Sequence, residues 1–447
     1  MEQALRKAKQ FIPRTLFWWL QWPYHFLLAL LAALWYRFPS RHLTVIGVTG
    51  TKGKTTVVHL AHEVMQASGA KTASLSSVRF KIGDREEPNL SKMTMPGRFF
   101  VQRFLRRAVR EKCAYAVIEV TSQGIAQSRH RFIRFQAAVM TNMAPEHIES
   151  HGSFERYLRA KLDLFWRLGT RAAAVINRDD PHSKRFAAAT RAHRVWYDKD
   201  TIELDGKIWK VLHANAGPDG IAFNINGKTF TSPLSGTFNL YNILAAVATG
   251  LSQHVELHKI ATAIAHVAGV PGRMEMLQRE PFRVVVDYAH TPESLRSVYE
   301  TLRLPDARMI CVLGAAGGGR DTWKRPEFGK IAAEFCTETF LTNEDPYDEN
   351  PMAIIDEIAV GFSDSATTRQ MADNLPAYPA GRQPTTLHKI LDRRDAIRTA
   401  LRSAGAGDIV VITGKGSESW LMGPNGSKIA WDDRAVVREE LQNLTTK

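Results

Sequence analysis

Residues 44–56 read TVIGVTGTKGKTT, and the helix-like stretch VVHLAHEVMQA follows them directly. An apolar strand, a turn bracketed by glycines and a helix start are typical of a phosphate-binding loop, because backbone N–H groups and the helix dipole attract an anion. Lys54 can reach the β- and γ-phosphates, and the Thr55 hydroxyl suits Mg²⁺. The predicted nucleotide-binding residues are Gly50, Thr51, Lys52, Gly53, Lys54, Thr55 and Thr56. The alternative is an ordinary glycine-rich turn, since Val48 stands where the strict loop pattern has glycine.

Composition and charge limit the class of protein. The chain has 447 residues, enough for two or three domains, and its 44% hydrophobic and 23% charged residues are typical of globular proteins. The formal net charge of +14 favours anionic partners. Nucleic acid is not the predicted partner, because the chain has no long Lys/Arg run and no RNA-binding motif. The cysteines Cys113, Cys311 and Cys336 show no CxxC spacing, so we expect a reducing cytoplasm and neither a disulfide framework nor a zinc site.

The N-terminal segment is rich in Trp, Leu and Phe, and residues 11–38 read FIPRTLFWWLQWPYHFLLALLAALWYRF. Its uninterrupted apolar part, Phe26–Tyr36, is too short to span a membrane, and Pro13 and Pro23 predict short helices rather than one long one. No small-residue cleavage site follows, so a signal peptide is not expected. Two accounts stay open, since the segment can lie in a membrane interface or pack on the protein's own core or in a dimer.

The rest of the chain alternates short strands with helical stretches. Residues 114–120, 135–141 and 172–176 read as buried strands, and this alternation predicts a parallel, doubly wound α/β sheet. Residues 196–232 carry Asp-Gly and Asn-Gly turns and predict appended antiparallel hairpins. A boundary near residue 270 precedes four further strand-to-loop units. The predicted domains are therefore a short apolar helical segment (1–43), an ATP-binding domain (44–270) and a second α/β domain (271–447).

Seven motifs occur in an order that resembles the Mur ligase family. They are TGTKGKTT, EVTSQGIAQSR, TNMAPEHIESHGSFERYLRAK, GTFNLYNILAA, PGRME, VVDYAHTPESL and GKGSE. Among the family, the chain is most similar to the ligases that add the third residue to UDP-N-acetylmuramoyl dipeptide in peptidoglycan synthesis, and thus serve cell wall biogenesis, cell shape and cell division. The resemblance implies a central P-loop-type ATPase domain and a C-terminal Rossmann-like domain. It also implies an ATP- and Mg²⁺-dependent ligase that forms an amide through an acyl phosphate.

The same resemblance implies the roles of individual residues. Lys54 would hold the transferring phosphate, and Lys161 matches a lysine that many members carbamoylate. The implied metal ligands are Thr55, Glu119, His147 and carbamoylated Lys161, and the implied nucleotide contacts beyond the loop are Asn242, Arg273 and Asp287. The alternatives are a surface lysine for Lys161, a salt-bridging carboxylate for Glu119 and a polar loop residue for His147.

Substrate residues follow from the resemblance as well. The muramoyl-peptide end is assigned to Thr94, Ser122, Gln127 and Arg129, and the incoming amino acid to Arg320, Glu344, Asp345, Gly414 and Glu418. For each, a turn or cap residue is the alternative. Two rival functions stay open: a related ligase that acts on another acidic or lipid-linked acceptor at the membrane, and a non-catalytic nucleotide-binding regulator. We expect a cytoplasmic protein, with a peripheral contact at the inner face of the membrane under the first account of the N-terminal segment.

Three departures from the family bear on specificity. Family members carry an N-terminal α/β domain that recognises the uridine nucleotide, whereas here 43 residues precede the first central strand. The TTP-type motif that meets the substrate is Met93–Pro96, reading MTMP. The DNPR signature of diaminopimelate-adding members is replaced by EDPY, which ends in Tyr347. Because tyrosine cannot provide the bidentate grip of an arginine on a carboxylate, we expect a different amino-acid preference.

Overall fold

The computed structural model describes residues 14–91, 93–146, 151–319, 321–371 and 385–445. The chain forms two compact units. The first comprises Met1–Ala214, Ala222–Thr231 and Asn239–His266, and the second comprises Asn215–Ile221, Ser232–Phe238 and Val267–Lys447. The predicted domain boundaries at residues 43 and 270 stay predictions.

A twelve-stranded sheet organises the first unit. Its strands are β1 (Thr44–Thr49), β2 (Thr72–Leu75), β3 (Arg79–Ile82), β4 (Arg85–Pro88), β5 (Tyr115–Glu119), β6 (Phe135–Met140), β7 (Ala173–Asn177), β8 (His193–Tyr197), β9 (Thr201–Leu204), β10 (Lys207–Gly217), β11 (Gly220–Ile225) and β12 (Lys228–Ser232). They lie in the order β12, β11, β10, β9, β8, β7, β6, β1, β5, β2, β3, β4. The central strands from β2 to β8 pair in parallel, and β8, β9 and β10 pair antiparallel. The parallel sheet and the hairpins predicted from the sequence are confirmed.

Helices cover the central strands of this sheet. They are α1 (Arg14–Trp35), α2 (Lys54–Ala67), α3 (Arg98–Arg110), α4 (Ser122–Ala126), α5 (Phe154–Trp166), α6 (Ser183–Ala188), α7 (Thr237–Ser252) and α8 (Leu257–His266). Strand residues such as Val45, Ile118 and Met140 are buried together with Leu162 and Phe165 of α5 in one hydrophobic core. Helix α2 packs on β2 and β5. Because the central strands are parallel, their carboxyl ends meet along one edge, where ligands of such sheets bind.

The second unit contains a six-stranded sheet. Its strands are β13 (Glu275–Gln278), β14 (Arg283–Asp287), β15 (Met309–Leu313), β16 (Glu338–Leu341), β17 (Thr386–Lys389) and β18 (Ile409–Thr413), in the order β13, β14, β18, β15, β16, β17. Only β13 is antiparallel to its neighbour. The helices are α9 (Pro292–Leu302), α10 (Lys324–Phe335), α11 (Pro351–Met371), α12 (Arg393–Ser403) and α13 (Asp433–Thr445), and a small hairpin is formed by β19 (Trp420–Met422) and β20 (Lys428–Ala430). The predicted second α/β pattern is confirmed.

Both faces of this second sheet are buried, as a doubly wound sheet requires. Ile409 and Val411 of β18 contribute to one hydrophobic core, whereas Val410 and Ile412 contribute to the other. Successive side chains of a strand point to opposite faces, so a run of apolar residues indicates a strand covered on both sides. The apolar run in DIVVITGKG therefore indicates a strand that is covered on both faces of the sheet.

The N-terminal segment differs from the prediction of short helices separated by prolines. Helix α1 runs without a break from Arg14 to Trp35 and contains Pro23. A proline in a helix interior removes a hydrogen bond and costs about 3 kcal/mol, and the burial of Ala29, Ala32 and Ala33 in the following turns contributes against that cost. Among the described helices, none is long and apolar enough to cross a membrane. Pro13 and the side chains of Trp18, Trp19 and Trp22 lie outside the described part.

The expectation that the cysteines are unpaired is wrong for two of them. Cys311 on β15 and Cys336 after α10 form a disulfide whose Cα atoms are 6.1 Å apart, and both are fully buried. The pair escapes a search for close spacing, because the two residues are 25 positions apart in sequence and the fold brings the strand and the helix end together. Cys113 is a buried free cysteine.

Candidate functional site

The phosphate-binding loop lies between β1 and α2, at the carboxyl edge of the central sheet. Gly50 and Gly53 have backbone φ angles of 148° and 79°, which residues other than glycine rarely adopt. A Cβ on Gly53 would stand 2.2 Å from Asn242 Oδ1, and one on Gly50 would stand 1.9 Å from Thr141 Oγ1. Both positions therefore require glycine, and Asn242 of α7 lies directly against the loop.

The loop is held by a residue that the sequence analysis did not single out. Asn142, which follows β6, accepts hydrogen bonds from Thr51 N at its backbone oxygen and from Lys52 N at Oδ1, both at 2.8 Å. Lys52 Nζ also forms an ion pair with Glu146 Oε1 at 2.7 Å. The sequence signals for Asn142 are its place after a buried strand and inside the motif that begins TNMAPEH, but the contact itself depends on the pairing of β6 with β1.

Two lysine side chains meet at the loop. Lys54 Nζ donates hydrogen bonds to Thr51 O at 2.7 Å and Gly50 O at 3.1 Å. Lys161 Nζ donates to the same Gly50 oxygen at 2.6 Å. The two amines thus lie beside one backbone carbonyl of the loop, where the Lys54 ammonium suits an anionic ligand such as a triphosphate.

Lys161 is enclosed by the protein. The residue lies on α5 with 1% of its surface exposed, and its Nζ stands 4.6 Å from the centre of the Tyr157 ring, one turn earlier. Burial, together with the neighbouring Lys54 ammonium, lowers the pKa of Lys161 well below its ordinary range. This environment rules out the alternative of a surface lysine and favours a neutral, nucleophilic amine.

Oxygen ligands for a hard cation gather at the start of α2. Glu119 Oε2 accepts hydrogen bonds from Thr55 Oγ1 and from Ser77 N, both at 3.0 Å, and Ser77 Oγ lies 2.8 Å from Thr55 Oγ1. Two hydroxyls and a carboxylate fit the preference of Mg²⁺ for oxygen. Ser77 was not identified from the sequence, and only its place after β2 could have indicated it.

His147 lies outside the described residues, so its position relative to Thr55 and Glu119 stays a prediction. Within the described ranges, no three His, Cys, Asp or Glu side chains form a cluster that could hold a metal by themselves. The candidate cation site at Thr55 does not conflict with that finding, because two of its three side chains are hydroxyls.

The residues assigned to the muramoyl-peptide end form two pairs. Arg129 donates to Gln127 Oε1 at 2.7 Å and to the backbone oxygen of Met95, next to the partly buried Thr94. Separately, Ser122 Oγ lies 3.1 Å from His151 Nε2, and the His151 ring meets the Tyr157 ring edge to face. His151, which the sequence analysis did not assign, connects Ser122 to the helix that carries Lys161.

In the second unit, the two predicted nucleotide contacts lie on adjacent segments. The Arg273 guanidinium stacks 4.0 Å from the centre of the Tyr288 ring. Asp287 at the end of β14 accepts hydrogen bonds from Met274 N at 2.7 Å and from Ala289 N at 2.6 Å. Asp287 thereby fixes the turn that positions both Arg273 and Tyr288.

The residues assigned to the incoming amino acid surround a buried lysine that the sequence analysis missed. Lys415 Nζ donates to Asp345 Oδ1 at 2.9 Å and to Glu418 Oε2 at 2.5 Å. Glu418 Oε1 in turn accepts from Tyr288 OH at 3.3 Å. We name these residues, together with Glu344, the acidic cluster. The carboxylates of Asp345 and Glu418 outnumber the one ammonium of Lys415 even without Glu344, so the cluster is negative.

Glu344 completes this cluster beside Gly414. Burial raises the pKa of Glu344 to about 7. A Cβ on Gly414 would stand 2.3 Å from Glu344 Oε2, and the φ angle of Gly414 is 107°, so this position also requires glycine. The structure thus brings Glu344, Asp345, Gly414 and Glu418 together. Arg320 lies outside the described residues, and its assignment stays a prediction.

Comparison with known proteins gives consistent matches along the chain. Residues 48–250 match the Mur ligase middle domain, and residues 272–416 match the Mur ligase glutamate ligase domain. The UDP-N-acetylmuramoyl-L-alanyl-D-glutamate–2,6-diaminopimelate ligase of Gloeobacter violaceus is 40% identical over 424 residues, which cover 94% of this chain and 81% of that protein. The UDP-N-acetylmuramyl-tripeptide synthetase of Roseiflexus sp. is 36% identical, covering 93% and 82%.

Solved structures agree with these matches. A structure of a UDP-N-acetylmuramoyl-L-alanyl-D-glutamate–2,6-diaminopimelate ligase superposes with a TM-score of 0.60 at 29% identity, covering 90% of this chain and 79% of that one. Folylpolyglutamate synthase of Mycobacterium tuberculosis superposes with a TM-score of 0.69 at 18% identity, covering 88% and 93%. The latter likeness shows the fold alone.

Proposed function

We propose a function from the premise that the chain belongs to the Mur ligase family. The protein is an ATP-dependent ligase that adds an amino acid to a UDP-N-acetylmuramoyl-peptide precursor of peptidoglycan. ATP phosphorylates a carboxylate of the precursor, giving an acyl phosphate and ADP. The amine of the amino acid then attacks the acyl carbon, an amide forms, and inorganic phosphate leaves with its bonding electrons. The observation that carries this proposal is the meeting of Lys54 and Lys161 at Gly50.

The first step requires neutralisation of the transferring phosphoryl group. Lys54 is the mobile cation of the loop and would follow the group as negative charge redistributes. Thr55, Ser77 and Glu119 would hold Mg²⁺, which supplies further charge neutralisation when bound. His147 is proposed as a ligand of a second ion on the family resemblance.

We propose that Lys161 is carbamoylated. Its neutral amine would add to CO₂ and release a proton, which converts the side chain into a carboxylate-like anion. Complete burial supports this assignment, because a buried ammonium is unfavourable. The resulting carbamate would balance the charge of Lys54 and offer oxygen atoms to a cation.

The acceptor is proposed to contact Arg129 and Gln127 through its acidic peptide, since the Arg129 guanidinium can bind a carboxylate.

One of the two rival functions is supported by a specific observation. A related ligase on a lipid-linked acceptor would make use of the exposed apolar residues of α1, such as Leu27 and Trp35. The non-catalytic regulator is not favoured, because Lys54 and Lys161 meet at Gly50 and Glu119 contacts Thr55 of the same loop. The proposed location is the cytoplasm, with peripheral contact to the inner face of the membrane.

Phosphate release tests this proposal. The full chain with ATP and Mg²⁺ should release phosphate only when both UDP-N-acetylmuramoyl-L-alanyl-D-glutamate and an amino acid are present, in equal amounts with the amide product. Each substrate omitted in turn gives the control. Phosphate release that does not depend on the muramoyl dipeptide would contradict the proposal, and activity with a lipid-linked acceptor alone would favour the rival.

Amino-acid choice gives a second prediction. We expect that meso-diaminopimelate is not the preferred substrate, because Tyr347 replaces the arginine that would bind its distal carboxylate. The negative charge of the acidic cluster favours a cationic side chain, so lysine or ornithine should be preferred by about tenfold or more in kcat/KM. Mass spectrometry of the product formed from an equimolar mixture measures the choice.

The matched variant for this prediction is Tyr347→Arg, which restores the family residue. It should move the preference toward diaminopimelate, while phosphate release with the wild-type amino acid falls. A wild-type enzyme that clearly prefers diaminopimelate over lysine would show that another group binds the distal carboxylate.

A further inference from the structure

One face of helix α1 is packed against the first unit. Ala29, Ala32 and Ala33 are buried, and the Phe26 ring meets Phe132 at 5.1 Å in an edge-to-face contact. His25 Nδ1 accepts a hydrogen bond from Arg98 of α3 at 2.5 Å. The helix is therefore held in a fixed orientation on the protein.

The opposite face of α1 is apolar and exposed. Its members recur every three or four residues along the helix, which places them in one row. We call this row the outer stripe, and its residues are Tyr24, Leu27, Leu31, Leu34 and Trp35, with 59%, 55%, 46%, 53% and 76% of their surface exposed. A contiguous row of large exposed apolar side chains indicates an interaction surface rather than scattered surface residues.

The surroundings of the outer stripe are basic. Arg37 and Arg41 follow the helix directly and are exposed, and the Arg41 guanidinium stacks on Phe38 at 4.6 Å. Arg103 on the exposed side of α3, the helix that packs beside α1, adds a further cation. From residue 3 to residue 62 the sequence contains neither Asp nor Glu. This charge is complementary to an anionic surface and repels a basic one.

We propose that α1 docks flat on an anionic lipid bilayer, with the outer stripe in the interface and Arg37 and Arg41 on the head groups. From Tyr24 to Trp35 the outer stripe is roughly 17 Å long, and an amphipathic helix with aromatic and basic residues lies in the plane of such an interface. This docking names the surface behind the proposed peripheral location, and it does not depend on the ligase reaction.

The charge also distinguishes a bilayer from a second copy of the chain. A symmetric dimer brings the same patch of each copy together. Here that contact would face arginines with arginines, with no carboxylate in the segment to offset them. An anionic bilayer, by contrast, offers apolar acyl chains to the outer stripe and negative head groups to the arginines.

Vesicle sedimentation with the full chain tests the docking. Vesicles of phosphatidylglycerol and phosphatidylcholine should carry the protein down, while pure phosphatidylcholine or high salt should reduce the bound fraction about tenfold. Leu31→Glu should reduce binding to the anionic vesicles by a similar factor. The matched control is Leu212→Glu on β10, which has 48% of its surface exposed outside the outer stripe and should bind as the wild type does.

Each other outcome is decisive as well. Leu31→Glu should keep the wild-type melting temperature and the wild-type phosphate release in solution, so a loss of binding cannot be a loss of fold. Equal vesicle binding by Leu31→Glu and wild type would overturn the proposal. So would a wild-type dimer in sedimentation velocity that Leu31→Glu dissociates, if the wild type does not bind vesicles, because a second copy would then occupy the stripe. Failure of the ligase assay alone would leave the vesicle result unaffected.

Discussion

The Lys54→Ala enzyme is expected to have no measurable turnover, with kcat reduced about 10³-fold or more. In the described part of the chain, Lys54 and Lys161 both reach the loop carbonyl of Gly50, but a carbamoylated Lys161 would be an anion. Lys54 would then be the ammonium left at this carbonyl to neutralise the transferring phosphoryl group. Steady-state phosphate release at saturating substrates measures the effect.

A matched control is Lys71→Ala, which removes an exposed lysine paired with Glu111 at 3.0 Å on the same unit. Surface ion pairs contribute about 1 kcal/mol or less, so this variant should keep wild-type activity and stability. The Lys54→Ala enzyme should also melt at the wild-type temperature, because its charge is partly exposed. Substantial activity in Lys54→Ala would show that another cation neutralises the phosphoryl group.

Lys161→Ala is expected to reduce kcat about 10²-fold or more, with partial recovery on addition of short carboxylates such as acetate or propionate. The alanine leaves a space at the loop that a small carboxylate can fill in place of the carbamate. Carboxylates should not restore activity to Lys54→Ala, because Lys161 still fills its own space in that variant and the missing group is the Lys54 ammonium. Phosphate release against carboxylate concentration measures the rescue.

A readout independent of turnover is carbon-13 NMR of the wild type equilibrated with labelled bicarbonate. A carbamate resonance should be present in the wild type and absent in Lys161→Ala. Because protonated lysine does not add CO₂, the resonance should weaken as pH falls through the lowered pKa of Lys161. A fully active Lys161→Ala enzyme, or a wild type without the resonance, would contradict the carbamate while leaving the ligase proposal standing.

The regular parts of the fold were predictable because their signals are local. The apolar run at residues 44–49 and the VVVD and IVVIT stretches are short and bounded by glycine or polar residues, as buried parallel strands are. The phosphate loop combines a strand, two required glycines and a helix start within a few residues. The order of the family motifs then indicated Lys161 and Glu119, and both residues are buried beside the loop.

Other features depend on distant parts of the chain, and local sequence cannot show them. Asn142, Ser77 and Lys415 acquire their places because strands far apart in sequence pair side by side. The disulfide between Cys311 and Cys336 likewise depends on tertiary structure, because it joins β15 to the end of α10. Pro23 locally predicts a helix break, but α1 continues through it, and its following turns pack against the first unit.

The contact between Gly53 and Asn242 has a consequence for how the protein is made. Ribosomal synthesis produces the phosphate loop early and helix α7 much later, so the nascent loop lacks the side chain that lies against it in the finished protein. Non-local contacts of this kind form late in folding, since long stretches of chain must first be ordered. A nascent chain that ends before α7 therefore holds the loop without Asn242 beside Gly53. The part of the site that the loop and α7 form together is complete only after α7 has been made.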